Sequence, residues 1–444
     1  LKNPLHILKA LQLSQNPESF FRQEMRKQGD PFRLQFPEGD PIYFTGTSEG
    51  ARELFSADPN LFEPARANPV EPLLGSGSLI LLGGSRHKKE RSLIVPPFNG
   101  ERMRIYGSLI QDITLKEIKK LEQQKFTIPR FEAFDLAQTI TLQIIIQVVF
   151  GIQRPERVEA FRQSILHFLH CYTPSLMFVS FLRIDSWWNM PWKKFRQAKN
   201  HFDSLLLEEI HQRRQLQPSA DRPQDIFSLL INDKYDDGTS ITDEDLIDEL
   251  KTLLVAGHET TATALAWALF YSNYLPEVKK KIQQELHSLP TPEQCEESHY
   301  LTALCQESLR IHPVVPVILR RLKTPFTFRK QVIPAGANIG VATTLLHSQP
   351  DVWEEADQFR PERFLQKKYS PFDYAPFGGG HRRCLGAAFA TYEMKIILGT
   401  LFARLDMDLT NPKKQANIPK AIIKNITMGP ADPIWLTYKL KQNL

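Results

Sequence analysis

The stretch "TDEDLIDELKTLLVAGHETTATALAWALFYSNYL", Thr242 to Leu275, limits the folds open to this chain more than any other. Thr242 is a good N-cap, and Asp245 stands three residues on as a capping-box acid. Asp243 and Glu244 suit the positive start of a helix. Apolar positions then run on to Leu275, and Pro276 stops them. That predicts roughly 33 residues of helix, about 50 Å long at 1.5 Å per residue. With no heptad repeat to make it a coiled coil, such a helix crosses a whole domain.

Helical periodicity dominates elsewhere. Leu136 to Phe150 (LAQTITLQIIIQVVF) is apolar on nearly every face and predicts a buried helix. Lys193 to Gln215 is amphipathic and charged. Strand signals are few. "DPFRLQFPEGDPIYFTG" reads as a hairpin, and "FTFRKQVIPAGANIGVAT" as another, with turns at Lys330 and Gly336. The fold class is mainly α with a minor β region. No repeat, linker or composition break divides the chain, so residues 1–444 read as a single domain.

Composition excludes several classes. A net charge of +5 over 444 residues is too weak to argue for nucleic acid. No apolar run reaches the roughly 18 residues of a membrane-spanning helix. The four cysteines, Cys171, Cys295, Cys305 and Cys384, show no CxxC spacing, which speaks against structural zinc and a disulfide framework. Sparse thiols fit a reducing, cytoplasmic compartment. The chain begins at Leu1 rather than Met, so a preceding N-terminal segment is expected, which leaves an anchor or signal open.

One cysteine stands apart. Cys171 and Cys305 lie in apolar helical contexts and read as small core residues. Cys384 lies in "PFGGGHRRCLG", after three glycines and two arginines and just before the helical "AAFATYEMKIILGTLFARL". A helix start and nearby guanidinium groups stabilise a thiolate. A nucleophile with His381 as base, a redox sensor and a metal ligand all remain open. The loop lacks the GxxxxGK[ST] order of a phosphate cradle. A haem-iron ligand explains more of it. A thiolate pushes electron density toward bound oxygen, glycines let backbone pass close to a planar ring, and Arg382 can pair with a propionate.

Phe377, Gly380, Arg382, Cys384 and Gly386 match the Phe-x-x-Gly-x-Arg-x-Cys-x-Gly signature at every fixed position, and the loop resembles that of the cytochrome P-450 family of haem-thiolate monooxygenases. Three further motifs follow the family's order. "AGHETT", Ala256 to Thr261, reads by itself as a polar interruption in a core helix. It resembles the oxygen-activation motif, in which Glu259 relays protons from solvent and Thr260 holds water and hydrogen-bonds dioxygen. "ESLRIHP" holds Glu307 and Arg310, by spacing an ordinary i,i+3 surface pair worth tenths of a kcal/mol. The family's equivalent pair is buried with a later arginine, here Arg363 of "FRPERF". "RHKKERSLIVPPF" reads as a solvated basic face, with His87 and Arg91 on one side of a helix. The resemblance takes both to the propionates. Arg320 matches another propionate arginine, and the adjacent Arg321 could exchange roles with it.

The resemblance implies the cytochrome P-450 fold, with the long helix over the haem, and haem b (iron protoporphyrin IX) bound through Cys384, with Phe377 and Gly386 beside it. Backbone amides after Gly380 are expected to hydrogen-bond the sulfur. It implies hydroxylation by O2 of a small lipophilic substrate: a fatty acid, alkane, terpenoid or steroid. The nearest likeness is to bacterial, cyanobacterial members that hydroxylate fatty acids. Electrons would come from a ferredoxin or flavodoxin-type carrier with its reductase, docking on Arg86, Lys88, Lys89 and Arg383. The expected state is a monomer. Trp187, Trp188 and Trp192 beside Lys193 and Lys194 suggest shallow membrane contact. Two alternatives are a peroxygenase, against which the Glu259–Thr260 pair argues, and a non-enzymatic haem sensor, which has little need for that pair.

Overall fold

The computed structural model describes residues 9, 12–36, 40–64, 68–98, 100–123, 128–186, 189–215, 225–286, 290–410, 417–424 and 427–441. The helices that carry the site and its supports are α1 (Pro17–Gln28), α2 (Gly84–Ile94), α3 (Ala133–Ile144), α4 (Pro155–Cys171), α5 (Met190–Gln215), α6 (Asp243–Tyr274), α7 (His299–Ile311) and α8 (Ala387–Arg404). The long helix is present as α6, 32 residues. Its start is capped as the sequence predicts: the Asp245 N–H donates to Thr242 Oγ1 at 3.1 Å. The Asp245 carboxylate itself takes Arg86 Nη2 at 2.5 Å. Pro276 ends α6 by opening the next helix, where its missing N–H costs nothing. The apolar run from Leu136 forms the end of α3 and a wider π turn, Ile145–Val149, that the sequence did not signal.

Two compact units share the chain. The first holds residues 1–63, 110–138 and 260–444; the second holds 64–109 and 139–259. The division crosses α6 between Glu259 and Thr260. Every strand among the described residues is in the first unit. A five-stranded sheet has the order β1 (Phe32–Leu34), β2 (Ile42–Thr45), β8 (Asn338–Ala342), β5 (Val317–Leu322), β3 (Phe62–Glu63). A second sheet orders β4 (Arg130–Glu132), β12 (Trp435–Leu440) and β9 (Leu405–Leu409), and β10 (Ala421–Lys424) pairs with β11 (Thr427–Pro430). The first sequence hairpin is β1–β2. The second is only half a hairpin. β6 (Phe326–Phe328) pairs with β7 (Gln331–Ile333) across a turn in which Arg329 and Lys330 have positive φ. After the Gly336 turn, β8 leaves to lie parallel to β2 and antiparallel to β5. Ile339 and Val341 on β8 are fully buried there, in one apolar cluster with Phe328 of β6 and Ile333 of β7.

The core of the first unit contains charge. Glu307 on α7 is fully buried, with Arg310 at 1% and Arg363 at 4% exposure. Arg310 grips Glu307 with two bonds of 2.7 and 2.8 Å, and Arg363 Nε adds a third at 3.1 Å. The surface-pair reading is therefore overturned. Arg310 also donates to the carbonyls of His347, Ala356 and Gln358, and Arg363 to that of Glu354. His347 extends the network. The Ala375 N–H donates to its Nε2 at 3.0 Å, so Nδ1 carries the proton and donates to the Arg310 carbonyl at 3.1 Å. His312, at the end of α7, stacks on Trp267 at 3.6 Å and meets the Tyr271 hydroxyl at 2.9 Å.

Burial, reinforced by Arg310, pushes both His312 and His347 down to about 3. An unfolded histidine titrates near about 6.5. The folded value lies below the unfolded one, so this stability is complete above about pH 6.5 and drains away as pH falls toward the folded value. Each histidine loses about 1.4 kcal/mol per pH unit in that window. Buried His258 and Glu249 titrate across the same window, so the share is read by difference: between pH 6.5 and pH 5 the slope of unfolding free energy against pH is expected to fall by about 1.4 kcal/mol per pH unit in His312→Phe, and an unchanged slope would show that this ring is not held neutral.

Candidate functional site

The Cys384 loop precedes α8, as its sequence predicts. Of the four cysteines Cys384 alone is exposed, while Cys295 and Cys305 are buried. Cys171, expected in the core, is half-buried at the end of α4. The loop turns on its glycines. Gly378 and Gly380 have φ of +70° and +65°, which L side chains rarely adopt. Gly379 and Gly380 lie against Phe55: a Cβ would stand 2.3 Å from the Phe55 ring at Gly379 and 2.4 Å from the Phe55 carbonyl at Gly380. The Cys384 N–H donates to the half-buried Phe377's carbonyl at 2.9 Å, and the Arg383 N–H to the Gly380 carbonyl at 3.1 Å. These two amides close the loop on itself rather than facing the sulfur. Gly386 sits at the N-cap of α8, its carbonyl taking the Ala390 N–H at 2.7 Å. His381 stacks on Phe62 with ring centres 5.8 Å apart.

The arginines separate by partner. Adjacent strand residues point to opposite faces, so Arg320 and Arg321 on β5 part company. Arg321 is buried at 5% and bonds Glu63 at 2.7 Å and Asp40. Arg320 is half-buried and donates only to two carbonyls, Leu319 at 2.8 Å and Gly379 at 3.2 Å. No carboxylate among the described residues pairs with it. Burial, and then the nearby charge of Arg382, press its pKa down to about 10. A cation stripped of water, next to a like charge, favours an incoming anion. The sequence left Arg320 and Arg321 interchangeable; Asp40 and Glu63, distant in the chain, decide between them.

In the second unit, α2 carries buried His87 and half-buried Arg91 one turn apart. On α6, Glu259 and Thr260 are both half-buried, at the junction of the two units. Arg86 and Lys89, expected to dock an electron donor, have carboxylate partners: Asp245 for Arg86, and Asp237 for Lys89 at 2.8 Å. Lys88 is exposed. Nearby, the segment before α2 is fastened to α6. The Gly77 N–H donates to Asp248 at 2.9 Å, and Thr252 and Ser78 hydroxyls meet at 2.6 Å. Glu249 beside them is fully buried, with the Leu79 backbone close to its carboxyl. Burial, with Glu90, Asp248 and Asp245 close by, raises it to about 9. Trp187 and Trp188 lie outside the described residues. Trp192 packs on Phe195, ring centres 5.4 Å apart.

Residues 3–434 match the family model described as Cytochrome P450. Cytochrome P450 138 of Mycobacterium bovis is 30% identical over 388 residues, 87% of this chain and 84% of that protein. Cytochrome P450 135A1 of Mycobacterium tuberculosis is 29% identical over 410 residues, covering 91% and 87% of the two chains. Among solved structures, retinoic-acid-bound cyanobacterial CYP120A1 superposes with a TM-score of 0.81 at 22% identity, over 95% of this chain and 94% of that one. The chain belongs to the cytochrome P450 family and has its fold. It is a haem-thiolate monooxygenase, an oxidoreductase whose cofactor is haem b. The first unit's residues fit that cofactor. An exposed thiol is a soft iron donor, and the carboxylate-less Arg320 beside Arg382 suits a propionate.

The loop geometry makes a graded prediction. Gly378→Ala meets open space and carries only the backbone strain of positive φ, about 1 kcal/mol. Gly380→Ala adds a collision with the Phe55 carbonyl, which cannot rotate away. Its unfolding free energy should fall by at least about 2 kcal/mol more than that of Gly378→Ala. Equal losses for the two would mean that Phe55 does not set the loop.

Proposed function

We propose that this monooxygenase hydroxylates a small lipophilic substrate, a fatty acid in the first instance, with electrons from a ferredoxin or flavodoxin-type carrier and its reductase. The whole chain acts as one catalytic domain and as a monomer. Cys384 ligates the iron, and Phe377 and Gly386 flank the ring. Arg382, Arg320, His87 and Arg91 hold the propionates. The observation that carries this reading is the exposed Cys384 in a loop whose neighbouring guanidinium, Arg320, has no carboxylate of its own.

The cofactor supplies oxygen activation. The chain supplies position and protons. One oxygen atom enters the substrate and the other leaves as water, a balance that draws protons from solvent. Glu259 takes them up and passes them to water held on the Thr260 hydroxyl; a carboxylate is suited to this because it gains and loses a proton at little cost.

Two observations support a lipophilic substrate. Phe181, Ile184 and Met190 are 67%, 50% and 50% exposed, in the segment that leads into and opens α5. Lys193, Lys194 and Arg196 are exposed alongside. Apolar side chains rimmed by cations suit shallow contact with an anionic bilayer, where such substrates concentrate. No helix among the described residues is long and apolar enough to cross a membrane. The retinoic acid held by the cyanobacterial neighbour is an apolar chain ending in a carboxylate, a precedent within the fold. For the donor, Lys88 and Arg383 are exposed, while Arg86 and Lys89 are engaged by Asp245 and Asp237.

Cys384→Ser tests the ligand. The reduced parent protein under carbon monoxide is expected to show the long-wavelength band of thiolate haem, and the serine variant to lose it; a surviving band would remove Cys384 from the iron. Titration of the ferric protein with fatty acids, terpenes and steroids tests the substrate. Fatty acids should shift the spin state saturably, and a shift with steroids or terpenes alone would reject the fatty-acid assignment.

A further inference from the structure

The acid–alcohol pair of α6 sits on a helix turn that α3 grips from behind. Thr141 on α3 is fully buried, and His258, the residue before Glu259, is 2% exposed. Thr141 Oγ1 lies 3.1 Å from His258 Nδ1 and 3.1 Å from the carbonyl oxygen of the same residue. A hydroxyl has one proton to give. With that proton on the His258 carbonyl, Nδ1 must carry the ring proton and donate it to Oγ1. A closed cycle results, from ring N–H to hydroxyl to carbonyl, and it fixes both the imidazole and the peptide that joins His258 to Glu259. The other ring nitrogen, Nε2, is then a bare acceptor, and it has no hydrogen-bond partner among the described residues. Burial holds the ring neutral, pushing it down to about 4.

The neighbouring residue is held by packing. A Cβ at Gly257 would stand 3.0 Å from Ile145 Cδ1, at the start of the π turn that continues α3. So α3 presses on α6 at Gly257 and bonds it at His258. Successive helix residues turn by about 100°. Fixing 257 and 258 on the α3 side therefore sets the angles at which Glu259 and Thr260 leave the helix. The His258 carbonyl is also the acceptor that a regular helix assigns to the Ala262 N–H, and its second lone pair is free to take the Thr141 hydroxyl.

We propose that Thr141 is a positioning residue: acting through His258, its hydroxyl sets the orientation of Glu259 and Thr260 on α6. The inference rests on the relay role given to that pair above. It explains why the turn spends a buried histidine where an apolar residue would pack as well, since an apolar residue could not complete the cycle.

Three variants test it in the haem-loaded protein. Thr141→Val keeps the shape and removes the hydroxyl; Thr141→Ser keeps the hydroxyl; Thr260→Ala is the control for the relay. Hydrogen exchange, read without any lipid, should change about tenfold at the amides of residues 259–263 in the valine variant and match the parent in the serine variant. With the first lipid that shifts the parent's spin state, peroxide released per electron should rise about threefold in the valine variant and return to the parent level in the serine variant. Parent-like exchange in Thr141→Val overturns the positioning role whatever the oxidation assay gives, as does failure of serine to rescue. If Thr260→Ala releases no more peroxide than the parent, the relay reading fails instead. Should Thr141→Val not fold, Thr141→Ala removes the same hydroxyl and is read in the same way.

Discussion

Glu307 is fully buried, and much of the first unit is arranged around the two arginines that bond it. Removing one partner from such a buried pair costs about 3–5 kcal/mol, far more than a surface pair contributes. The consequences travel outward from that charge. Arg310, held by Glu307, takes the carbonyls of His347 and Ala356. His347 is thereby fixed as a neutral ring and receives the Ala375 N–H. Pro376, the next residue, opens the Cys384 loop. A short series of hydrogen bonds thus links a charge in the core to the start of the loop that carries the thiol. Arg363 does similar work on the other side by ordering the backbone around Glu354 and Glu355. The positive φ of Glu355, 46°, belongs to this arrangement, for its carbonyl is one of those turned toward Arg363.

The loop itself spends backbone freedom to gain a fixed shape. Its three glycines are not interchangeable. Gly378 supplies a dihedral angle, Gly379 supplies room for the Phe55 ring, and Gly380 supplies both angle and room. With the backbone so constrained, Arg320 can spend one of its bonds on the Gly379 carbonyl and still lack an anion. Arg321, one residue on, is neutralised by Asp40 and Glu63. The strand alternation that separates the two arginines also separates their partners, carboxylates for Arg321 and backbone carbonyls for Arg320.

Local chemistry was readable in the sequence; burial and distant partners were not. Thr242, Pro276 and the position of Cys384 ahead of a helix depend on neighbours a few residues away, and each appears where the residues indicate. Glu307 and Arg310 show their limits. An i,i+3 pair has the same spacing on a surface as in a core, and only the family resemblance separated the two. Nor could spacing choose between Arg320 and Arg321, because the acids that decide it lie more than two hundred residues away. β8 read as a hairpin partner because the Gly336 turn is local, while its pairing with β2 is not. His258 stood in plain view inside "AGHETT", yet its partner Thr141 lies in a run whose apolar character drew attention away from its one hydroxyl-bearing turn.

Polar groups deep in this chain differ in their partners, and the difference carries information about role. The satisfied ones, Glu307, Arg310, His347 and Arg321, hold the fold. Arg320 is short of an anion and lies at the Cys384 loop. Glu249 is buried with other carboxylates close by and lies where the Gly77–Ser78 segment is fastened to α6. Burying such a group costs stability, so it persists only where packing around it is strong or where something else is gained. For Glu249 the packing answer suffices in the neutral state. A carboxyl raised to about 9 stays protonated at neutral pH, and a neutral acid in an apolar setting costs far less than a charge. No such escape exists for a guanidinium, which keeps its proton throughout. An arginine with no carboxylate partner among the described residues is therefore the stronger mark of a binding site, and it bonds the Gly379 carbonyl of the loop that carries the exposed thiol.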